Sequence, residues 1–175
     1  MLSQKLQDAL NEQINKELQS EYIYLSMEAY MLENDFDGFA NFFHVQTQEE
    51  HFHAMKIYNF LIDRGGKVVL KKLDAPPVDF KSVIDVYEQT LAHEQYITNS
   101  INDLMDIAIK EGDHAVISFL KWYVDEQVEE EATVTKILSK LKLIGGEGHG
   151  MLMIDGELAQ RVFTPPASNG AGTAA

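Results

Sequence analysis

Apolar residues recur in a 4-3 alternation along four long stretches with almost no helix breakers, roughly residues 3–34, 36–64, 79–111 and 113–143. The first seam reads Leu6, Leu10, Gln13, Glu17, Ser20, Tyr24, Met27, Met31, and the second Phe39, Phe43, Gln46, Glu50, His53, Ile57, Phe60. The third reads Val83, Tyr87, Thr90, Glu94, Ile97, Ile101, Leu104, Ala108, and the fourth Val116, Leu120, Tyr123, Gln127, Glu130, Val134, Ile137, Leu141. This spacing is the seam of a left-handed helical bundle. Each stretch predicts a helix of about 30 residues, on the order of 45 Å long.

The punctuation sets the connections. Asn34-Asp35 and Glu111-Gly112-Asp113 are short turns suited to antiparallel neighbours, whereas Gly65-Gly66 through Val78 is a longer extended connection containing Pro76-Pro77. Asp79 is the expected N-cap of the third helix. The pattern predicts an all-α fold: a four-helix bundle over about residues 3–143, with one long crossover between helices 2 and 3. A glycine-rich hinge follows at 144–150, then a short fifth helix at about 151–162, closing one domain over residues 1–163. Residues 164–175 have the composition of a disordered tail. The hinge is no phosphate loop, because no strand precedes it and no Lys-Ser/Thr follows.

The seams also carry residues that a core rejects. Glu17, Glu50, Glu94 and Glu130 sit near the midpoints of four different helices, with His53 one turn after Glu50 and Gln127 one turn before Glu130. In an antiparallel bundle these midpoints share one height, so the six side chains converge. One glutamate on a seam is ordinarily a groove residue in contact with water; four at one level are not explained that way. Each ionised carboxylate in a dry core costs several kcal/mol, and their repulsion adds to it. No Lys or Arg occupies a seam position, leaving His53 as a single potential cation. Two divalent ions would balance four carboxylates. Oxygen-rich ligation with one imidazole and no sulfur suits iron or manganese, and Glu50-x-x-His53 places two ligands on one helix face. Glu49, Glu126 and Glu129 lie beside the seam, and their spacing fits a solvated acidic face or an accessory metal site equally well. Tyr24, two turns past Glu17, puts its hydroxyl within reach of a ligand. His44, His51, His93, His114 and His149 read as surface or packing residues, as do the aromatic and methionine seam positions.

Composition narrows the partners. With 14 Lys+Arg against 28 Asp+Glu the formal charge is −14, which disfavours nucleic acid and anionic membrane and favours cations. Apolar residues make up 45% and charged residues 24%, as in an ordinary globular protein. The absence of cysteine removes disulfides, thiolate metal sites and thiol nucleophiles. The N-terminus lacks the apolar core of a signal peptide, and no stretch approaches the ~18 apolar residues of a spanning helix. The expectation is a soluble, cytoplasmic protein.

These residues resemble the ferritin superfamily, specifically the bacterial non-haem ferritins, over about Leu6 to Phe163. The resemblance rests on N-E-Q-I-N-K-E-L around Glu17, Q-E-E-H-F-H over Gln48–His53, Glu94, and F-L-K-W-Y-V-D-E-Q-V-E-E-E over Phe119–Glu131. It implies a ferritin-like di-iron bundle in which Glu17, Glu50 and His53 form one iron site. Bridging Glu50 with Glu94 and Glu130 forms the other, and Gln127 stands beside the pair. It further implies that Glu49, Glu126 and Glu129 make a third iron site, and that Tyr24 can donate an electron to the centre. Gln127-x-x-Glu130 replaces the second E-x-x-H pair of the generic di-iron bundle. His51-Phe52 stands where a haem-binding bacterioferritin would carry its methionine, so no haem is expected.

The implied assembly is a homo-oligomeric shell of 24 subunits, with the fifth helices around its four-fold axes. The implied activity is iron storage: ferroxidase oxidation of Fe(II) by O2 or H2O2, then deposition of the Fe(III) as a hydrated oxide in the cavity. The alternative is an oxygen-activating di-iron oxidase or peroxidase that stores no iron. A passive binding shell and a DNA-protecting mini-ferritin fit less well, the first because the ligand set is complete, the second because a basic tail is missing.

Overall fold

The computed structural model describes residues 2–165 and contains five helices and no strand among them. They are α1 (Gln4–Glu33), α2 (Asp37–Asp63), α3 (Val83–Glu111), α4 (His114–Leu143) and α5 (His149–Leu158). Helix α1 packs chiefly on α2 and α3 on α4, so the two short-turn hairpins form the bundle and α5 caps one end against α2. Among the described residues, no helix is long and apolar enough to cross a membrane.

Local chemistry sets the ends. The Ser3 hydroxyl accepts from the Leu6 amide (3.2 Å) and the Asp113 carboxylate from the Val116 amide (3.1 Å), each satisfying a donor that the first helical turn leaves free. Gly112 closes α3 in the left-handed region (φ 66°), where a side chain would be strained. Asp113 also takes a two-pronged bond from Arg64 (3.2 and 2.8 Å), tying the start of α4 to the end of α2.

Two boundaries depart from the sequence expectation. The third helix begins at Val83 under a Ser82 cap, not at Asp79. The Ser82 hydroxyl accepts from the Asp85 amide (3.1 Å) and the Asp85 carboxylate accepts from the Lys81 amide (2.9 Å), two bonds that fix the first turn at Ser82. The fifth helix runs 149–158 instead of 151–162. It stops early because the Asn41 side-chain amide binds the carbonyls of both Leu158 (3.0 Å) and Arg161 (2.9 Å), which turns the chain out of the helix. The tail expected to be disordered lies outside the described residues from 166 onward.

The crossover is held by a device that no apolar pattern signals. Side-chain amides four residues apart on α1 serve the extended segment as a neighbouring strand would. Asn11 accepts from the Val69 amide (2.7 Å) and donates to the Lys67 carbonyl (2.8 Å). Asn15 does the same for Lys71 (2.6 Å) and Val69 (3.0 Å), and Gln19 for both backbone groups of Asp74.

The apolar interior is divided in two. One cluster, around Tyr24, Phe39, Phe42, Phe43 and Tyr87, fills the end nearest α5. The other, around Leu10, Ile57, Ile101 and Leu120, fills the far end. Between them lies a layer of buried polar side chains: Gln13, Glu17, Ser20, Gln46, Glu50, His53, Thr90, Glu94, Ser100, Gln127 and Glu130.

Candidate metal centre

Each helix of the bundle delivers one glutamate to this layer. Glu17, Glu50, Glu94 and Glu130 are 2%, 2%, 0% and 4% exposed, with His53 at 3% and Gln127 at 4%. Ligand atoms of Glu17, Glu50 and His53 lie within 4.8 Å of one another, as do those of His53, Glu126 and Glu130. The His53 Nδ1 is 3.5 Å from Glu50 Oε2, one turn away on the same helix. The Oε2 atoms of Glu17 and Glu50 are buried without any hydrogen-bond donor. A buried carboxylate oxygen left unpartnered is costly, and two of them facing a shared space beside an imidazole suit a cation.

The electrostatics agree. Burial pushes the Glu17 carboxyl up to about 7 and Glu94 up to about 8, with the neighbouring Glu130 charge adding to both. Burial, then the charges of Glu94, Glu17 and Glu130, raise Glu50 well above the carboxylate range. Raised in this way, the carboxyls favour holding protons wherever no cation balances their charge. His53 is moved the other way, to about 4, by burial and by Lys56. This corrects the idea of His53 as a counter-cation: it is a neutral imidazole with a lone pair free to bind a metal.

Neighbours aim the carboxylates. Gln13 donates to Glu17 Oε1 (2.8 Å), and Gln46 donates to Glu130 Oε2 (3.0 Å). Gln127 donates to Glu94 Oε2 (3.2 Å), and the fully buried Tyr24 hydroxyl donates to Glu94 Oε1. Tyr24 thus reaches a ligand candidate, as its seam position suggests. His93 packs edge-on to Tyr24 (5.8 Å between centroids) and meets the Ser20 hydroxyl at 2.8 Å. Trp122 lies edge-on to His53 at 5.4 Å.

The accessory acids are arranged less symmetrically. Glu126 reaches the His53–Glu130 pair, Glu129 is exposed, and Glu49 is turned onto Arg161 at 2.7 Å. Burial lifts Glu49 to about 7 despite Arg161, with Glu130 and Glu126 adding to the rise. Burial likewise lifts Glu126 to about 7, with Glu130 and Glu129 adding to it. Arg161 is the residue that sequence reasoning missed. The seams hold no Lys or Arg, yet a guanidinium enters beside this layer from the segment after α5. No local pattern marks it, because its position depends on how α5 docks. Gln13 and Gln46, by contrast, stood on the seam, and a buried amide one turn from a buried carboxylate was an available signal.

A four-helix bundle with one long crossover and a buried carboxylate–imidazole layer is an architecture that carries carboxylate metal sites. The sequence matches the family described as Ferritin, ferritin-like domain, over residues 7–144. It is 42% identical over 163 residues to a bacterial non-heme ferritin of Staphylococcus saprophyticus, covering 93% of this chain and 98% of that protein. A bacterial non-heme ferritin of Staphylococcus aureus is 40% identical with the same coverage. An engineered closed form of the Archaeoglobus fulgidus ferritin superposes with a TM-score of 0.92 at 44% identity, covering 94% of this chain and 100% of that one. This chain belongs to the ferritin family, as its motifs led us to expect.

Proposed function

We propose that this protein is an iron-storage ferritin that oxidises its cargo on entry. Two Fe(II) ions are the substrates of the buried layer: one held by Glu17, Glu50 and His53, the other by Glu50, Glu94 and Glu130, with Gln127 alongside. The observation carrying this reading is the pair of buried, unpartnered oxygens on Glu17 and Glu50 beside His53 at the middle of the bundle.

Each Fe(II) gives one electron to O2, so that 2 Fe(II) + O2 + 2 H+ yields 2 Fe(III) + H2O2. With H2O2 as oxidant, the same two electrons and two protons give two waters. The carboxylates stabilise the higher charge of the ferric pair more than that of the ferrous pair, which lowers the barrier to electron loss. The protons held by Glu17, Glu50 and Glu94 leave as metal binds and supply the reduced oxygen. Tyr24, hydrogen-bonded to Glu94, is placed to pass a further electron. Glu49, Glu126 and Glu129 serve as a third iron site on the side of the bundle.

The Fe(III) then moves into the cavity of a shell of 24 subunits and precipitates as a hydrated oxide, drawn by the acidic surface. The protein works in the cytoplasm and takes no haem. Aerobic loading with excess Fe(II), followed by size-exclusion chromatography with light scattering and iron analysis, tests this. Iron in large excess over binding sites should co-elute with a particle of many subunits. Stoichiometric iron on a monomer or dimer would refute storage and favour the oxygen-activating oxidase.

A further inference from the structure

Arg161 lies outside the bundle sequence yet ends beside its metal layer. Its guanidinium donates to Glu49 Oε2 (2.7 Å), to the Gln46 side-chain carbonyl and to the Phe42 carbonyl (3.5 Å), and it stacks on the Phe42 ring at 4.6 Å. A guanidinium that makes three hydrogen bonds and stacks on an aromatic face is more ordered than an ordinary surface pair. Its side chain and that of Glu49 are only 25% and 20% exposed. Asn41 fixes the backbone beneath it by binding the Arg161 carbonyl at 2.9 Å.

We infer that Arg161 is the resident counter-cation of the accessory site, holding Glu49 until a divalent cation displaces it. The inference rests on the reading of Glu49 as a metal ligand. The guanidinium holds Glu49 Oε2 and places a positive charge beside these acids, so it opposes a second cation there by repulsion and by competing for that oxygen. Without either, Glu49 would face the Glu126 and Glu130 carboxylates uncompensated. Lys56, stacked on Trp122 at 4.4 Å and acting on Glu126, is the second cation beside these acids.

The consequence reaches the di-metal layer. Gln46 accepts from Arg161 on its oxygen and donates to Glu130 Oε2 (3.0 Å) on its nitrogen, so release of Arg161 frees the group that aims Glu130. Filling of the accessory site is thus coupled to docking of the segment after α5. By linkage, each event weakens the other by the same factor.

The test titrates Zn(II), which is redox-inert, into the assembled, chelator-treated protein by calorimetry, comparing wild type with Arg161→Gln, Arg161→Lys and Glu49→Gln. Glu49→Gln should lose the weakest of three binding steps. Arg161→Gln should strengthen that step about tenfold, the removal of one competing ion pair, while the first two steps stay in place. Arg161→Lys, with charge but no fork, should fall between. In wild type, amide hydrogen exchange across residues 158–163 should rise as the third equivalent binds. If Glu49→Gln loses the third ion but Arg161→Gln leaves its affinity unchanged or lower, the counter-cation role is refuted and the accessory site stands. If Glu49→Gln keeps all three ions, both are refuted.

Discussion

Metal binding to the buried layer should expel protons, and their number follows from the carboxyl environments. Burial pushes the Glu17 carboxyl up to about 7 and the Glu94 carboxyl up to about 8. At pH 6 the first is roughly nine-tenths protonated and the second almost fully so, and a metal ligand must be ionised. The two together release roughly two protons per pair of divalent ions, and Glu50, also raised, adds to this. His53, lowered to about 4, is already neutral and contributes none. Because the slope of log affinity against pH equals the protons released, Glu17 and Glu94 alone should make affinity for the pair fall about 50-fold from pH 7 to pH 6. By pH 8.5 Glu17 and Glu94 are mostly ionised, and their share falls below about half a proton. Zn(II) calorimetry in buffers of different ionisation enthalpy reads these numbers directly. A release below one proton at pH 6, or one that grows between pH 6 and 8.5, would refute a layer that balances its charge with protons.

Three further outcomes follow from the same geometry. Glu50→Ala should abolish the fast phase of Fe(II) oxidation in stopped flow, by about 100-fold or more, while leaving the helical circular dichroism intact; an unchanged fast phase would remove Glu50 from the mechanism. The metal-free protein should lose stability as pH rises from 5 to 8. Its carboxyl pKa values lie above that of an unfolded glutamate, so the folded state binds more protons, costing about 1.4 kcal/mol per pH unit for each proton retained. Thermal unfolding with chelator present should show this decline, and saturating Zn(II) should reverse it. Gly38→Ala should detach α5, because an added Cβ would lie 1.7 Å from the Asp155 carbonyl oxygen, where no backbone can yield cheaply. The clash also breaks the bonds from the Gly38 and Phe39 amides to the Asp155 carboxylate (2.8 and 3.0 Å). A loss of about 2–4 kcal/mol in chemical denaturation, with faster proteolysis at the 144–150 hinge, is the expected signature.

The bundle and its polar layer were legible because both follow from periodicity. A 4-3 alternation fixes which side chains face inward, and glutamates at the midpoints of four such faces meet by geometry alone. What the sequence hid depends on contacts between distant segments. The amides of Asn11, Asn15 and Gln19 recur every four residues, yet they read as an ordinary polar face until the crossover lies against them. Asp79 looked like a cap by residue type, but the Ser82 hydroxyl takes the Asp85 amide while the Asp85 carboxylate takes the Lys81 amide, and these bonds start the helix three residues later. Arg161 was invisible for the most physical of these reasons: its place is set by an α5 that Asp155 and Asn41 pin to α2.

The division of the interior into two apolar clusters by a polar layer has a consequence for folding. A uniformly apolar seam would let one helix slide past its neighbours by a heptad at little cost, since one leucine packs much like another. Here a shift of seven residues along α1 would set Leu10 or Tyr24 against Glu50, and would bury Glu17 among side chains that offer it neither proton, donor nor cation. The layer therefore acts as a register pin, raising the energy of every slipped bundle above that of the aligned one. Its four carboxylates make the correct alignment less stable than a leucine core would be, and far better separated from its competitors.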